Sequence, residues 1–275
     1  MISRQTSIIG SAVVIISAIS SANASQKPTA VSLDYCADQY LLQLGDPGQI
    51  IALSRGADEP DSYLRHAAKD HHMIRASREE IAALKPDIVL RQWGGGARAQ
   101  SDLAGRDIDI ISIPHAVDFE DVRQSIRISA RALDQTARGE RLIAEMDQRL
   151  DAVRTRKKPA KRAIYITPGG VTAGTNTMIS TMMSTAGLHN VSSDHGATGW
   201  AAFSLEYLVV DPPEMIITGF FDTGTETTNH WSAGRHPQFE KIFAQTQTVH
   251  LPADIISCAA WFAVDAVEHL AEAAR

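Results

Sequence analysis

Aromatic residues, cysteines and long apolar runs are all scarce in this sequence. Only 6% of the 275 residues are aromatic and two are cysteine, which excludes a small disulfide-rich scaffold. Beyond residue 24 no apolar run is long enough for a transmembrane helix. With 44% apolar and 21% charged residues, the composition is that of a globular protein with a sizeable core.

Basic residues are also fewer than acidic residues. The chain has 26 Lys and Arg residues against 32 Asp and Glu residues, a formal net charge of −6. The densest basic cluster, at residues 154–158, is typical of the solvated end of a helix. We therefore predict no nucleic-acid partner.

The first 24 residues have the pattern of a secretory signal peptide. Arg4 precedes an apolar run at residues 8–19, and Ala22-Asn23-Ala24 is a typical cleavage pattern. The run is too short to span a bilayer. We expect cleavage after Ala24, which leaves an exported chain of 251 residues with a net charge of −7. An uncleaved N-terminal anchor is the alternative.

The two cysteines, Cys36 and Cys258, lie 222 positions apart. An even number of cysteines in an exported protein suggests a disulfide. Two unpaired, partly buried thiols are the alternative, and the residues alone leave both open.

Strand and helix patterns alternate in both halves of the mature chain, which predicts parallel sheets built from βα units. Between the halves, residues 119–153 are predicted to be almost wholly helical, with a possible break at 134–139. Ser77 and Glu80 form a capping-box pattern that predicts a helix start. The predicted strands are 29–34, 49–53, 87–90, 108–113, 163–167, 215–218 and 248–251.

Common catalytic motifs are absent from the sequence. It has no Gly-x-Ser-x-Gly, no P-loop and no His-Glu-x-x-His. His115, His230 and His236 follow predicted strands in loops and are the histidines best placed to face a crevice. We predict no catalytic residues, and an exported α/β enzyme is the alternative of another class.

All four tryptophans fall outside the predicted strand cores. Trp93 follows a strand, Trp200 precedes a helix, Trp231 lies in a long polar loop and Trp261 opens the last helix. Large apolar side chains on loops at the carboxyl ends of strands typically line a ligand crevice. We expect at least two of these indoles to contact a ligand.

Two segments give the sequence a family resemblance. The first is Val31-Ser32-Leu33-Asp34-Tyr35-Cys36-Ala37-Asp38-Gln39, followed by a helix and a strand at 49–53. The second spans residues 79–90, EEIAALKPDIVL, and recurs in weaker form at 203–217. On these motifs the mature chain resembles the helical-backbone (class III) periplasmic substrate-binding proteins of ABC importers for cobalamin and ferric siderophores.

The resemblance implies an α/β fold with two lobes, each a parallel-type sheet flanked by helices, joined by a single long helix with the ligand cleft between the lobes. The expected boundaries are 25–134 for the N-terminal lobe, 135–158 for the connecting helix and 159–275 for the C-terminal lobe. A rigid connecting helix implies little lobe movement.

The resemblance also implies a cargo and a partner. The cargo is a cobalt or iron chelate, with cobalamin first and a ferric siderophore or haem as alternatives. No resident cofactor and no metal site of the protein's own are expected. The partner is an ABC permease dimer with its ATPase subunits, and the protein is expected to be a monomer.

Site residues follow from the same resemblance. In the cobalamin binder of the family an aromatic residue follows the strand that here ends at Leu90, and Trp93 lies one position beyond the aligned residue, Gln92. A family tryptophan before the second-lobe helix matches Trp200, and the loops at 35–38 and 257–261 face the cleft in the family. The implied ligand-binding residues are Tyr35, Cys36, Gln92, Trp93, Trp200, Trp231, Cys258 and Trp261.

The resemblance also suggests roles for two further pairs of residues, two glutamates and the two cysteines. Glu79 and Glu206 match the glutamates that dock each lobe to the permease. Cys36 and Cys258 depart from the family pattern by placing a cysteine in each cleft-facing loop. The resemblance puts them on opposite lobes, where they could form a bridge. Ligation of haem or another metal by a thiolate is the alternative.

Overall fold

The computed structural model describes residues 27–75, 77–93, 107–155, 160–221 and 237–275. The predicted signal peptide and the candidates His230, Trp231 and His236 lie outside these ranges. None of the described helices is both long and apolar enough to cross a bilayer.

The first half of the chain forms a parallel sheet with strand order β3-β2-β1-β4-β5. Its central strands are almost fully buried, as expected for a parallel sheet covered on both faces. The strands are β1 (Ala30–Ser32), β2 (Ile50–Ser54), β3 (Met73–Ile74), β4 (Ile88–Arg91) and β5 (Asp109–Ser112).

The α-helices described in this half are α1 (Tyr35–Leu44), α2 (Arg65–Ala68) and α3 (Arg78–Leu84). The predicted capping box at α3 is confirmed, because Ser77 Oγ accepts from the Glu80 amide while Glu80 Oε2 accepts from the Ser77 amide. Turns precede the short helix α2.

A helical hairpin separates the two sheets. It consists of α4 (Phe119–Ala132) and α5 (Thr136–Arg154), so the predicted break is real. The chain turns at Asp134, whose φ of 53° lies in the left-handed region. The helices pack closely at Gly139, where a Cβ would lie 2.6 Å from that of Ala130.

The second half forms a parallel sheet with strand order β11-β10-β6-β8 and a small antiparallel sheet of β7 and β9. The strands are β6 (Arg162–Ile166), β7 (Val171–Ala173), β8 (His189–Asn190), β9 (Trp200–Ala202), β10 (Met215–Gly219) and β11 (Gln247–Leu251). The helices are α6 (Met178–Thr185), α7 (Val191–Asp194), α8 (Leu205–Val210), α9 (Pro237–Gln245), α10 (Ala253–Ile256) and α11 (Ala263–Ala273).

One continuous apolar cluster joins both halves through the hairpin. It includes α1, α4 and α5 and extends into α6 and α11. Separate, smaller clusters cover the other face of each parallel sheet. The predicted fold class, an α/β protein with two helix-flanked parallel sheets, is confirmed.

A buried carboxylate lies beneath the carboxyl ends of β1 and β2. Asp38 of α1 accepts hydrogen bonds from the Ser32 hydroxyl, from the Ser54 amide at 2.8 Å and from the Ser54 hydroxyl at 2.5 Å. Burial raises the pKa of Asp38 to about 6, and these hydrogen bonds offset only part of that effect.

The raised pKa of Asp38 predicts that the free energy of unfolding depends on pH. Because the folded pKa of Asp38 lies above its unfolded value, the folded state binds the proton more tightly. The contribution of Asp38 to the free energy of unfolding therefore falls as pH rises from about 4 through about 6. Between pH 5 and pH 8, Asp38→Asn should therefore gain about 1.4 kcal/mol of unfolding free energy relative to wild type, because pH 5 lies about one unit below the folded pKa of Asp38.

Urea unfolding at the two pH values checks this expectation. Asp109→Asn, at an exposed position of β5, is the matched control and should keep the wild-type pH slope. If Asp38→Asn also keeps that slope, the carboxylate is not the titrating group.

Candidate functional site

The candidate site lies at the carboxyl ends of the parallel strands. In the first sheet the chain runs outward in opposite directions from β1 and β4, which are neighbours. Such a switch point opens a crevice outside the carboxyl ends of the two strands. Residues 33–35 follow β1 there, and residues 92–93 follow β4.

A disulfide between Cys36 and Cys258 joins the carboxyl edges of the two sheets, with the two Cα atoms 5.5 Å apart. Cys36 lies in the first turn of α1, and Cys258 follows β11 and α10. Both residues are buried and both sulfurs are used in the bond, so the thiolate-ligated alternative is wrong. The expectation that the two cysteines contact the ligand is corrected to a structural role between the lobes.

Further contacts around the disulfide hold the two halves together. Tyr63 stacks on Phe262 at a ring-centroid distance of 4.1 Å, and its hydroxyl donates to Asp265. Arg65 forms an ion pair with Asp254 at 2.6 Å. Arg149 of α5 donates to the carboxylate of Asp265 and to that of Glu268 in α11.

Trp93 provides an exposed aromatic surface at the switch point. Its side chain is 55% exposed, and its indole lies 5.1 Å from the imidazole of His115, between ring centroids. Gln92 is instead partly buried and donates from Nε2 to the Pro114 carbonyl. The side chain of Gln92 thus ties β4 to the loop that carries His115.

Tyr35 lies at the same edge of the sheet, in the first turn of α1. It is half-buried, and burial together with the negative charges of Asp61 and Asp34 raises the pKa of its hydroxyl. The phenol is therefore neutral at pH 7 and can both donate and accept a hydrogen bond.

Trp200 provides the corresponding surface in the second half. It is 53% exposed and lies in β9, whereas the sequence placed it in a loop before a helix. Tyr165 of β6 meets its indole edge-on at 6.0 Å. Gly219 leaves room for Tyr165, since a Cβ there would lie 2.3 Å from the Tyr165 hydroxyl oxygen.

Trp261 is a core residue. It is only 7% exposed and packs edge-on against Tyr40 and Phe262. With Leu142 and Met146 of α5 it lines a small cavity of about 170 Å³ next to the connecting hairpin. The expectation that Trp261 binds the ligand is therefore corrected to a role in the core.

Glu79 and Glu206 both lie exposed in the first turn of a helix, α3 and α8 respectively. Glu80 satisfies the capping box of α3, so Glu79 is not needed for that cap. At α8 the Ser204 hydroxyl accepts from the Glu206 amide and leaves the carboxylate exposed. The docking role of both residues stays a prediction, as does the ligand contact of Tyr35, Gln92, Trp93 and Trp200.

The sequence profile of the family described as periplasmic binding protein matches residues 31–230. The chain belongs to the periplasmic binding protein family. Family members bind a substrate and are not enzymes, so the alternative of an exported enzyme is dropped.

Among curated proteins the chain is similar to a cobalamin-binding protein of Halobacterium salinarum, at 26% identity over 201 residues. The match covers 71% of this chain, and the chain spans about half the length of that relative, 54%.

Solved structures share the fold at low identity. The periplasmic heme-binding protein RhuT from Roseiflexus sp. RS-1 superposes with a TM-score of 0.71 at 19% identity, over 90% of this chain and 100% of that one. The periplasmic vitamin B12 binding protein BtuF of Vibrio cholerae gives 0.67 at 20% identity, over 90% and 96%. This places the chain in the class III fold that the sequence resemblance implied.

Proposed function

We propose that the mature protein captures a metal chelate, cobalamin or a related corrinoid, between its lobes and delivers it to an ABC permease. The observation that carries the proposal is the pair of exposed indoles, Trp93 and Trp200, one at the carboxyl edge of each half. A large, partly apolar macrocycle gains affinity by lying against such aromatic surfaces while a few polar groups set its orientation.

Three further features of the chain complete this proposal. Residues 1–24 are a cleaved signal peptide that sends the chain to the periplasm. Residues 25–134 and 159–275 are the two lobes, and 135–158 contains the helix that connects them. The protein acts as a monomer, with the permease dimer and its ATPase subunits as partners.

The charge near the first lobe favours cobalamin over a polyanionic ferric siderophore. Asp34 and Asp61 both act electrostatically on Tyr35, and Asp58 and Glu59 are exposed on the loop that follows β2. Arg55 at the start of that loop balances one of these four acids. Juxtaposed like charges weaken binding, so this acidic edge repels a ligand that carries several negative charges.

Haem is the second candidate, and the observation that favours it is His115. Its side chain is exposed beside Trp93, and an imidazole at this position can be an axial ligand of haem iron. The two carboxylates of haem face the same repulsion as a siderophore, which ranks haem below a corrinoid.

Titration of the mature protein, starting at Ser25, distinguishes the candidates. Tryptophan fluorescence is followed during additions of cyanocobalamin, haemin and a ferric siderophore in separate experiments. We expect saturable quenching by cyanocobalamin at a one-to-one ratio. Saturation by haemin with a His115-dependent change in its absorbance would favour the second candidate, and no saturable quenching by any chelate would contradict both.

A further inference from the structure

The carboxylate of Asp34 connects the two loops at the switch point of the first sheet. Oδ1 accepts from the Ala37 amide at 2.9 Å and so caps the N-terminus of α1. Oδ2 accepts from two amides of the other loop, Gln92 at 2.7 Å and Trp93 at 3.0 Å. The side chain is 9% exposed, so water competes weakly for these bonds.

The position of these bonds in the sheet explains their effect. The pairing of β1 with β4 ends with Ser32 opposite Leu90 and a bond from the Leu33 amide to the Leu90 carbonyl. Past that point the two backbones separate toward different elements. The Asp34 carboxylate replaces the missing ladder bonds and holds the backbone of Trp93 beside the first turn of α1.

We propose that Asp34 is a positioning residue, which orients the indole of Trp93 for ligand binding by holding the backbone at 92 and 93. This inference rests on the proposed function, in which the indole of Trp93 contacts the ligand. A charged acceptor that receives two amide bonds is stronger than a neutral one, which suits a residue that must fix an exposed side chain. Asp34 itself does not need to touch the ligand.

Asp34→Asn separates the two roles of the carboxylate. Asparagine is as good a helix cap as aspartate, so its single carbonyl oxygen can keep the bond to the Ala37 amide. The amide nitrogen then faces Gln92 and Trp93 and cannot accept from their N–H groups. The variant should keep the cap of α1 and lose the hydrogen bonds from the amides of Gln92 and Trp93.

Amide hydrogen exchange tests the structural half of the proposal without any ligand. In Asp34→Asn the amides of Gln92 and Trp93 should exchange about 10-fold faster or more, while the Ala37 amide keeps its wild-type rate. Asp118→Asn, at the cap of α4, removes the same charge from a site where the carboxylate accepts from Glu120 and Asp121. This control should leave exchange at 92 and 93 unchanged.

A double-mutant cycle with cyanocobalamin as the probe tests the binding half. Asp34→Asn should raise the dissociation constant for cyanocobalamin about 10-fold. The same change in a Trp93→Ala background should raise this constant less than about 2-fold. Unchanged exchange at Gln92 and Trp93, or equal losses in both backgrounds, would overturn the positioning role. Absence of cyanocobalamin binding by wild type would contradict the proposed function, while the exchange rates would still decide the role of Asp34.

Discussion

Replacing Glu79 and Glu206 together by alanine should abolish uptake of the cargo by cells and leave the affinity of the isolated protein unchanged. The two carboxylates are exposed, one on each lobe, in the first turns of α3 and α8. A permease with two-fold symmetry can meet both at once with arginines, which bind carboxylates in a bidentate geometry. Truncating one partner of such a pair costs roughly 2–5 kcal/mol of docking free energy, and here two pairs are lost.

The alternative explanation for these glutamates is local. An acidic residue in the first turn of a helix stabilises that helix by roughly 0.3–1 kcal/mol through the helix dipole. This small effect predicts only a slight fall in the unfolding temperature of the double variant. It does not predict a loss of transport.

Uptake of labelled cyanocobalamin and binding by the purified protein are measured side by side. Glu145→Ala with Glu272→Ala removes the same charge from exposed positions on α5 and α11 and should transport normally. Transport by the Glu79/Glu206 variant, or a parallel loss of its ligand affinity, would show that these residues do not dock the permease.

Removal of the disulfide should have the largest effect on stability. The bond closes a loop of 222 residues and crosses between the lobes. In the loop-closure treatment a cross-link of that length stabilises the folded state by roughly 5 kcal/mol. Cys36→Ala with Cys258→Ala should therefore lower the free energy of unfolding by that order, because it frees the unfolded chain.

Urea unfolding of both proteins, with and without a thiol reductant, checks this expectation. The reductant should destabilise the wild type and have no effect on the double alanine variant, which serves as the control. Alkylation followed by mass spectrometry should find no free thiol in the wild type before reduction. Two alkylated cysteines in the unreduced protein would disprove the bridge.

Features set by neighbouring residues could be predicted from the sequence. Ser77 and Glu80 lie three positions apart, and the capping box that they form needs no distant partner. The buried strand at residues 88–90 is likewise evident from its apolar run and the flanking Pro86 and Asp87. The break between α4 and α5 falls within the interval predicted for it, residues 134–139.

Features set by distant partners were missed. β9 has three residues, and its partner β7 lies almost thirty positions earlier, so Trp200 carries no local strand pattern. Trp261 is an aromatic residue in a loop, as expected of a ligand-binding residue, but in the structure it packs in the core against Tyr40 and Phe262.

The role of Asp34 combines both kinds of information. Its place before a helix is a local cap signal that sequence reasoning could have used. Its bonds to Gln92 and Trp93 depend on the parallel pairing of β1 with β4, which joins residues 58 positions apart. Local patterns therefore locate the edge of the sheet where the site lies, and tertiary pairing decides which side chains are presented there.

Calorimetric titration of Trp93→Ala with Trp200→Ala against cyanocobalamin tests the central claim, that the ligand is held between the two exposed indoles. Tyr207→Ala is the matched control, since Tyr207 is an exposed aromatic residue of α8 that stacks on His195. We expect the tryptophan variant to lose about 100-fold or more in affinity, roughly 1.4 kcal/mol for each indole, and the control to bind like wild type. Wild-type affinity in the tryptophan variant would contradict the account.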